Sequence, residues 1–350
     1  MCGLRRCSVH LWLLRSQNSS MSNSEFLVGK ETGAKQGHTR RVLSQLMDTL
    51  DVLRPHFEDP LVSDIMINGP DDVFVDRRGM GVRVPVSLPA SNIRAAISLI
   101  AGLVEKEVGI KNKQNVLSAR LPGFRVEAIL PPVAVNGPSM CIRRHSTRVF
   151  SLGEYVVAGV ILPKYAELLT QAVLARENFL IVGGTGSGKT TLMNTALSIV
   201  PASQRLFVIE TVHELQIVAP NKVLVECDDE QGMTPRKAVR TAMRYAPKRV
   251  IVGELRGPEA HDWMDAANTG HPGSAATIHA NGAAQGLARL ENLVLMADMG
   301  IPHEALKVSI ADTVQWLFYI AREGDVRKVT EVCRVNGYDR DKNSYILQHF

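Results

Sequence analysis

The nine consecutive residues Gly183, Gly184, Thr185, Gly186, Ser187, Gly188, Lys189, Thr190 and Thr191 read "GGTGSGKTT" and fit the spacing G-x-x-x-x-G-K-T. Glycines at this spacing let successive backbone N–H groups curl around phosphates, and a helix starting there adds partial positive charge. Lys189 would reach the β- and γ-phosphates of a nucleotide, and Thr190 would offer its hydroxyl to Mg²⁺. That chemistry is binding of ATP with Mg²⁺. About 65 residues further on, "RVIVGELRGPEA" runs from an apolar stretch, Val250 to Val252, into Glu254. An acid at that place can order the water shell of Mg²⁺ or polarise an attacking water. A third segment, "TGHPGSAATIHAN", carries His271 and His279. Their spacing does not make a metal pair. Gly270, Pro272 and Gly273 read as a shaped loop entering a strand, and His279 falls at that strand's C-terminal end, where open α/β sheets bind ligands.

These residues need elements to hold them. From residue 155 onward, apolar runs alternate with helical patterns: a helix over 164–176, "FLIVGG", a helix from Lys189, "LFVIE", "VLVEC", a helix over 234–245, "RVIVGE", a helix over 258–268, "AATIHA" and a helix over 284–298. Near-continuous apolar strands between helices predict a largely parallel sheet covered on both faces. "VQWLFYIAR", "KVTEVCRV" and "YILQHF" read as an antiparallel addition at the end. Residues 39–145 read as a smaller α+β domain. Val42, Leu43, Leu46, Leu50 and Leu53 recur at helical spacing, as do Ile97, Ile100, Leu103 and Val104. "SDIMIN", "DVFVDR", "GVRVPV", "FRVEAILPPV" and "SMCIRRH" read as strands. Residues 146–154 read as a linker and 1–38 as a polar, flexible tail. In that tail Leu11, Trp12, Leu13 and Leu14 follow Arg5 and Arg6, a weak echo of a signal peptide without a small-residue cleavage site. Met21 is an alternative start.

Composition narrows the function classes. The chain has 350 residues, 45% of them hydrophobic, with 40 basic and 35 acidic side chains for a formal charge of +5. A sizeable core is therefore available. No apolar run approaches the roughly 18–20 residues of a membrane span. Cys2, Cys7, Cys141, Cys227 and Cys333 form no CxxC pair, which argues against a zinc site or a disulfide framework and for a reducing compartment. Residues 1–150 hold 20 basic and 13 acidic side chains, and residues 151–350 hold 20 and 22. The basic half lacks the aromatic–basic interleaving of single-strand binding surfaces, so direct nucleic-acid binding is not expected.

Taken together, "GGTGSGKTT", "GELRGPEA" and "TGHPGSAATIHAN" resemble the type II/type IV secretion ATPase family, the hexameric traffic ATPases. "EDPLVSDIMING" and "RLPGFRVEAILPPV" resemble the N-terminal domain of its conjugal-transfer members of the TrbB kind. The resemblance covers roughly residues 40–340. It implies a RecA-like P-loop NTPase C-terminal domain and an α+β N-terminal domain that caps the nucleotide. It also implies a homo-oligomeric ring of six at the cytoplasmic face of the inner membrane, peripheral to it, with inner-membrane secretion proteins as partners. Lys189, Thr190 and Glu254 match the family's phosphate-loop and Walker B positions. His279 matches a histidine near the γ-phosphate. Arg125 and Arg143 match N-terminal-domain arginines that reach the phosphates. The acidic box, usually I-E-D-x-x-E-L, reads "IETVHEL": Thr211 replaces the Asp while Glu210 and Glu214 remain, so Glu214, Glu254 or both would orient the water. Before Walker B, "APKR" puts Lys248 where the family usually has Asp. Two classes of function stay open, a Mg-dependent ATPase motor and a non-hydrolysing, nucleotide-gated scaffold. Within the first class, a pilus or type II secretion ATPase is the alternative, although Cys227 and Cys333 cannot form the tetracysteine zinc element that many such extension ATPases carry.

Overall fold

Strand alternation decides the architecture of each half of the chain. The structure, a computed structural model, describes residues 33–350 apart from 78, 110–113, 122, 145–147, 230 and 325, with side chains from residue 37. Two compact units divide between Thr147 and Arg148. Residues 1–32, including the Leu11–Leu14 stretch and Met21, lie outside the described residues.

The N-terminal unit opens with α1 (Gly33–Thr49), which starts ahead of the boundary expected at residue 39. A short 3-10 turn at Asp51–Leu53 and α2 (Arg54–Glu58) follow. Its sheet comprises β1 (Val62–Gly69), β2 (Asp72–Arg77), β3 (Met80–Val84), β4 (Val116–Leu121), β5 (Phe124–Ile129) and β6 (Ser139–Arg144). They run in the order β3-β2-β1-β6-β5-β4 and pair antiparallel. The sequence reading missed β4, whose alternation of exposed and buried residues is nevertheless regular. α3 (Ala90–Leu103) joins α1 in burying one face of the sheet: Leu43, Leu46, Ile93, Ile97 and Ile100 share a core with Ile65, Ile142, Val126 and Ala119. Those last four sit in register across β1, β6, β5 and β4. The neighbouring register row, Asp64, Arg143, Arg125 and Arg120, must face the other way because side chains alternate along a strand.

In the second unit, the described part of the expected linker, from Arg148 on, leads directly into a helix. This helix, α4 (Leu152–Val157), begins inside the linker, held by a capping box in which Ser151 and Glu154 exchange side-chain and backbone hydrogen bonds. Arg148 forms an ion pair with the same Glu154. The signal was the S-x-x-E spacing within "SLGE". α5 (Pro163–Leu174) leads to β7 (Phe179–Val182), α6 (Lys189–Ser198), β8 (Leu206–Glu210) and β9 (Lys222–Glu226). α7 (Pro235–Ala242), β10 (Arg249–Val252), α8 (Glu259–Asn268), β11 (Ala275–Ile278) and α9 (Ala283–Leu295) come next. α10 (His303–Thr313), which periodicity did not reveal, precedes β12 (Trp316–Glu323), β13 (Val326–Asp339) and β14 (Ser344–His349). The sheet order is β14-β13-β12-β7-β11-β10-β8-β9. β12 was expected with the antiparallel addition but pairs parallel with β7, so the switch to antiparallel comes only at β13.

Every residue of β7, β10 and β11 is buried. Alternate residues feed two cores. Leu180, Val182, Val250, Val252, Ala276 and Ile278 pack with α7, α8, α9 and α10 on one face. Phe179, Ile181, Ile251, Ala275 and Phe318 pack with α5 and α6 on the other. This is the α/β half expected from the sequence, with the smaller α+β unit before it.

One charge is built into the far edge of this sheet. Arg249, at the start of β10, has no exposed surface. Its guanidinium donates to Gln204 Oε1 at 2.7 Å, Gly273 O at 3.1 Å and Val173 O at 2.6 Å. It thereby stitches the end of α5, the approach to β8 and the loop before β11 together. Burial, with Arg176 nearby, pushes its pKa down to about 10, so it stays charged at neutral pH. Arg249→Leu is expected to lower stability by about 3 kcal/mol or more, because three buried acceptors lose their donors. Urea unfolding would report it as a lower midpoint, and an unchanged midpoint would refute this account of the edge.

Candidate active site

The phosphate-loop segment sits where strand β7 hands over to helix α6. Gly186 and Gly188 have φ of 70° and 100°, a conformation that a side chain would strain, and Gly188 caps α6 in that state. Lys189 folds back on the loop: its Nζ donates to Gly183 O at 3.0 Å and Gly184 O at 2.8 Å. Burial lowers its pKa to about 8, against the pull of Glu254 and Glu214 and with the push of Arg256. Among the described residues, Ser187 Oγ is buried without a hydrogen-bond partner. A buried orphan hydroxyl beside a loop of backbone N–H groups fits a polyphosphate.

Two carboxylates approach the loop from neighbouring strands. Glu210, at the end of β8, is buried, and both its oxygens are committed. Oε1 accepts the N–H groups of Glu214 and Leu215, each at 3.0 Å, and Oε2 lies 2.8 Å from His213 Nδ1. The residue expected to be catalytic therefore shapes the acidic-box loop. Asn194 of α6 adds a second tether, accepting the Gln216 N–H at 2.8 Å. So held, Glu214 receives a hydrogen bond from Thr190 Oγ1 at 3.4 Å. Thr211 is exposed.

Glu254 follows β10. Arg256 Nε donates to its Oε1 at 2.8 Å and Arg256 Nη2 to its Oε2 at 2.9 Å. His279 Nε2 stands 3.5 Å from Oε2. Burial works against the Glu254 charge, but the hydrogen bonds and charge of Arg256, with His279 and Lys189, hold the carboxyl below its usual range. Burial and Lys189 keep the His279 imidazole below its ordinary value. Thr277 Oγ1 donates to Gly253 O at 2.6 Å and locks the ends of β10 and β11 together. Gly253 has to be glycine because a Cβ there would lie 2.8 Å from the Glu210 Cγ.

Lys189, Thr190, Glu214, Glu254 and His279 thus share the C-terminal edge of one sheet. His271 does not join them. It lies at the other end of β11, with Nδ1 2.9 Å from Pro247 O. Arg125 and Arg143 belong to the N-terminal unit. There Arg143 Nε donates to Asp64 Oδ1 at 2.6 Å, and Arg125 Nη2 lies 3.8 Å from Glu127 Oε2. Sequence reasoning missed two cations in the second unit. Arg256 stood inside a quoted motif without a partner. Arg327, whose Nε donates to Gly186 O at 3.1 Å from β13, had no signal at all in local spacing.

Residues 48–347 match the family described as type II/IV secretion system protein. The chain belongs to that family. It is 35% identical over 316 residues to the conjugal transfer protein TrbB of Rhizobium radiobacter, covering 89% of this chain and 94% of the relative. It is 30% identical over 368 aligned residues to the type IV secretion system protein VirB11 of Brucella suis biovar 1, covering 94% and 99%. Among solved structures it shares its fold with the ATPase DotB of Yersinia pseudotuberculosis, with a TM-score of 0.58 at 19% identity, covering 88% of this chain and 78% of that one. In this type II/IV secretion family member, the acidic box, the Walker B strand and the phosphate loop come from three different strands of one sheet.

The lowered Lys189 pKa has a measurable sign. Between about 8 and the ordinary 10.5 the folded chain holds fewer protons on this group than the unfolded chain does, so the group adds stability as pH rises across that window. Phosphates favour the charged form. Nucleotide binding is therefore expected to take up a proton, and affinity to fall as pH rises past about 8. Calorimetry in buffers of different ionisation heat reads the uptake; its presence unchanged in Lys189→Ala would refute the assignment.

Proposed function

We propose that this chain is the ATP-hydrolysing motor of a type IV secretion or conjugal-transfer apparatus. It works with Mg²⁺ as a homo-oligomeric ring of six, docked on inner-membrane secretion proteins at the cytoplasmic face. One observation carries the reading: Lys189, Thr190, Glu214 and Glu254 converge on a glycine loop at a strand–helix junction. Family membership supports the ATPase activity and the secretion setting. No helix among the described residues is long and apolar enough to cross a membrane, so attachment would be peripheral.

The residues divide the work as follows. The N–H groups of Gly183–Thr191 and the Lys189 ammonium bind the phosphates and oppose the charge that develops during transfer. Among the described residues no cluster of His, Cys, Asp or Glu could hold a metal unaided. Thr190 and Glu254 would hold Mg²⁺ together with phosphate oxygens, as this ion usually demands. Bound there, Mg²⁺ supplies charge neutralisation for the β- and γ-oxygens. Glu214 and Glu254 are the groups that can align the attacking water and accept its proton, and Glu210 keeps Glu214 in place. In the proposed motor the N-terminal unit would cap the nucleotide, and Arg125 and Arg143 would reach its phosphates. The altered acidic box is the one sequence feature that supports the alternative of a non-hydrolysing scaffold. The substituted Thr211 is exposed, while Glu210 and Glu214 keep their contacts, so hydrolysis is the better reading.

Glu254→Gln is expected to retain ATP and to lose turnover by about 10²–10³-fold, because the amide keeps the shape and loses the charge. Phosphate release from the purified chain tests it, with Lys189→Ala as the inactive control. Normal turnover in Glu254→Gln beside a dead Glu214→Gln would move the role to the acidic box.

Arg125→Ala and Arg143→Ala should each lower turnover more than ADP affinity, since ADP lacks the γ-phosphate. Lysine at either position should not rescue, because it lacks the planar fork. Wild-type rates in both alanine variants would make these ordinary surface arginines.

A further inference from the structure

Glu254 is occupied as it stands. One guanidinium takes both of its oxygens, at 2.8 and 2.9 Å, in a two-point fork. A carboxylate held this way has its best acceptor positions filled by Arg256, which competes with any role toward a water or Mg²⁺. The backbone under Arg256 is fixed. Its own N–H and that of Gly257 both donate to Glu259 Oε1, at 2.7 and 2.9 Å, and Glu259 is buried at the start of α8. The Arg256 side chain is not fixed in the same way, being 59% exposed. It also sits within the electrostatic reach of Lys189, His279 and Glu214, the groups gathered at the phosphate loop.

We infer that Arg256 is a residue that discriminates ATP from ADP, exchanging the Glu254 carboxylate for the γ-phosphate when ATP binds. The inference rests on the nucleotide site proposed above. A carboxylate and a phosphoryl group present similar pairs of anionic oxygens to a guanidinium, so the fork can pass from one to the other without losing its hydrogen bonds. The exchange is also balanced in charge. The arriving γ-phosphate takes the cation, and Glu254 is released at the moment when a water and Mg²⁺ need an anion. ADP ends at the β-phosphate and offers no γ-oxygens, so with ADP the fork stays closed on Glu254. Two competing pairings make a two-state element, and a ligand can shift such an element only by its differential affinity for the two states.

Equilibrium titration of the full-length chain with a non-hydrolysable ATP analogue and with ADP tests this directly. Arg256→Ala should weaken the analogue by roughly 10- to 100-fold, the worth of charge-assisted hydrogen bonds, and leave ADP nearly unchanged. Arg256→Lys should fall between. Arg256→Gln keeps a polar, hydrogen-bond-donating side chain without the charge, and covers the case in which alanine disturbs the loop; it should lose the preference too. Glu254→Gln removes the competing carboxylate and should tighten the analogue. That gain should vanish in the Glu254→Gln/Arg256→Ala double variant, a coupling that a shape-keeping role would not produce. Equal weakening of analogue and ADP in the Arg256 variants would overturn the inference, as would a Glu254→Gln gain that survives without Arg256. Wild-type chain that binds neither nucleotide, or binds both as well after Lys189→Ala, would instead overturn the nucleotide site itself.

Discussion

The Glu210 carboxylate sits buried at the end of β8, accepts two backbone N–H groups from the following loop, and presses against Gly253 on the neighbouring strand. A buried carboxyl group in that position is tolerable only because its oxygens are satisfied. The consequence spreads outward. The loop cannot leave Glu210 without stranding its buried oxygens, so Glu214 stays beside Thr190. Gly253 must leave room for it, which brings β10 close and sets where Glu254 begins. The C-terminal edge of the sheet is thus assembled around a buried carboxyl group.

The same sheet uses opposite physics at its two edges. At the C-terminal edge, Lys189, Arg256, Glu214 and Glu254 share a half-buried space, and their charges act on one another, the acids attracting and the two cations repelling. At the other edge, the Arg249 guanidinium is held by carbonyl and amide oxygens and serves as a permanent strut. Between them lie strands buried on both faces, whose apolar contacts in two cores keep the edges at fixed separation.

How much of this was legible in the sequence depends on whether a feature is local. The strand–loop–helix around Lys189 could be read because its glycines, its lysine and the apolar run before it are contiguous. Glu254 and His279 could be placed at strand ends for the same reason. Glu210 was read only as one of the acidic-box carboxylates, because sequence spacing shows which acids are near a strand end and not where their oxygens point. Arg327 reaches Gly186 from 141 positions away, a contact created only when β12 pairs with β7 and β13 folds back on it. The β12 error has a similar origin: an apolar run looks the same whether its neighbour runs parallel or antiparallel. α4 was missed because its capping signal lay in a stretch too polar to attract attention.

The arginine row of the N-terminal sheet constrains how that half of the molecule can drift over generations. Asp64, Arg143, Arg125 and Arg120 stand in one register line, and Ile65, Ile142, Val126 and Ala119 in the next line face the core. Adding or deleting a single residue within β5 or β6 would shift the line by one and turn every later side chain to the opposite face. Arginines would enter the core and isoleucines would leave it. These strands can accept changes of residue type, and length changes at their turns, but an odd insertion within them is closed to the lineage.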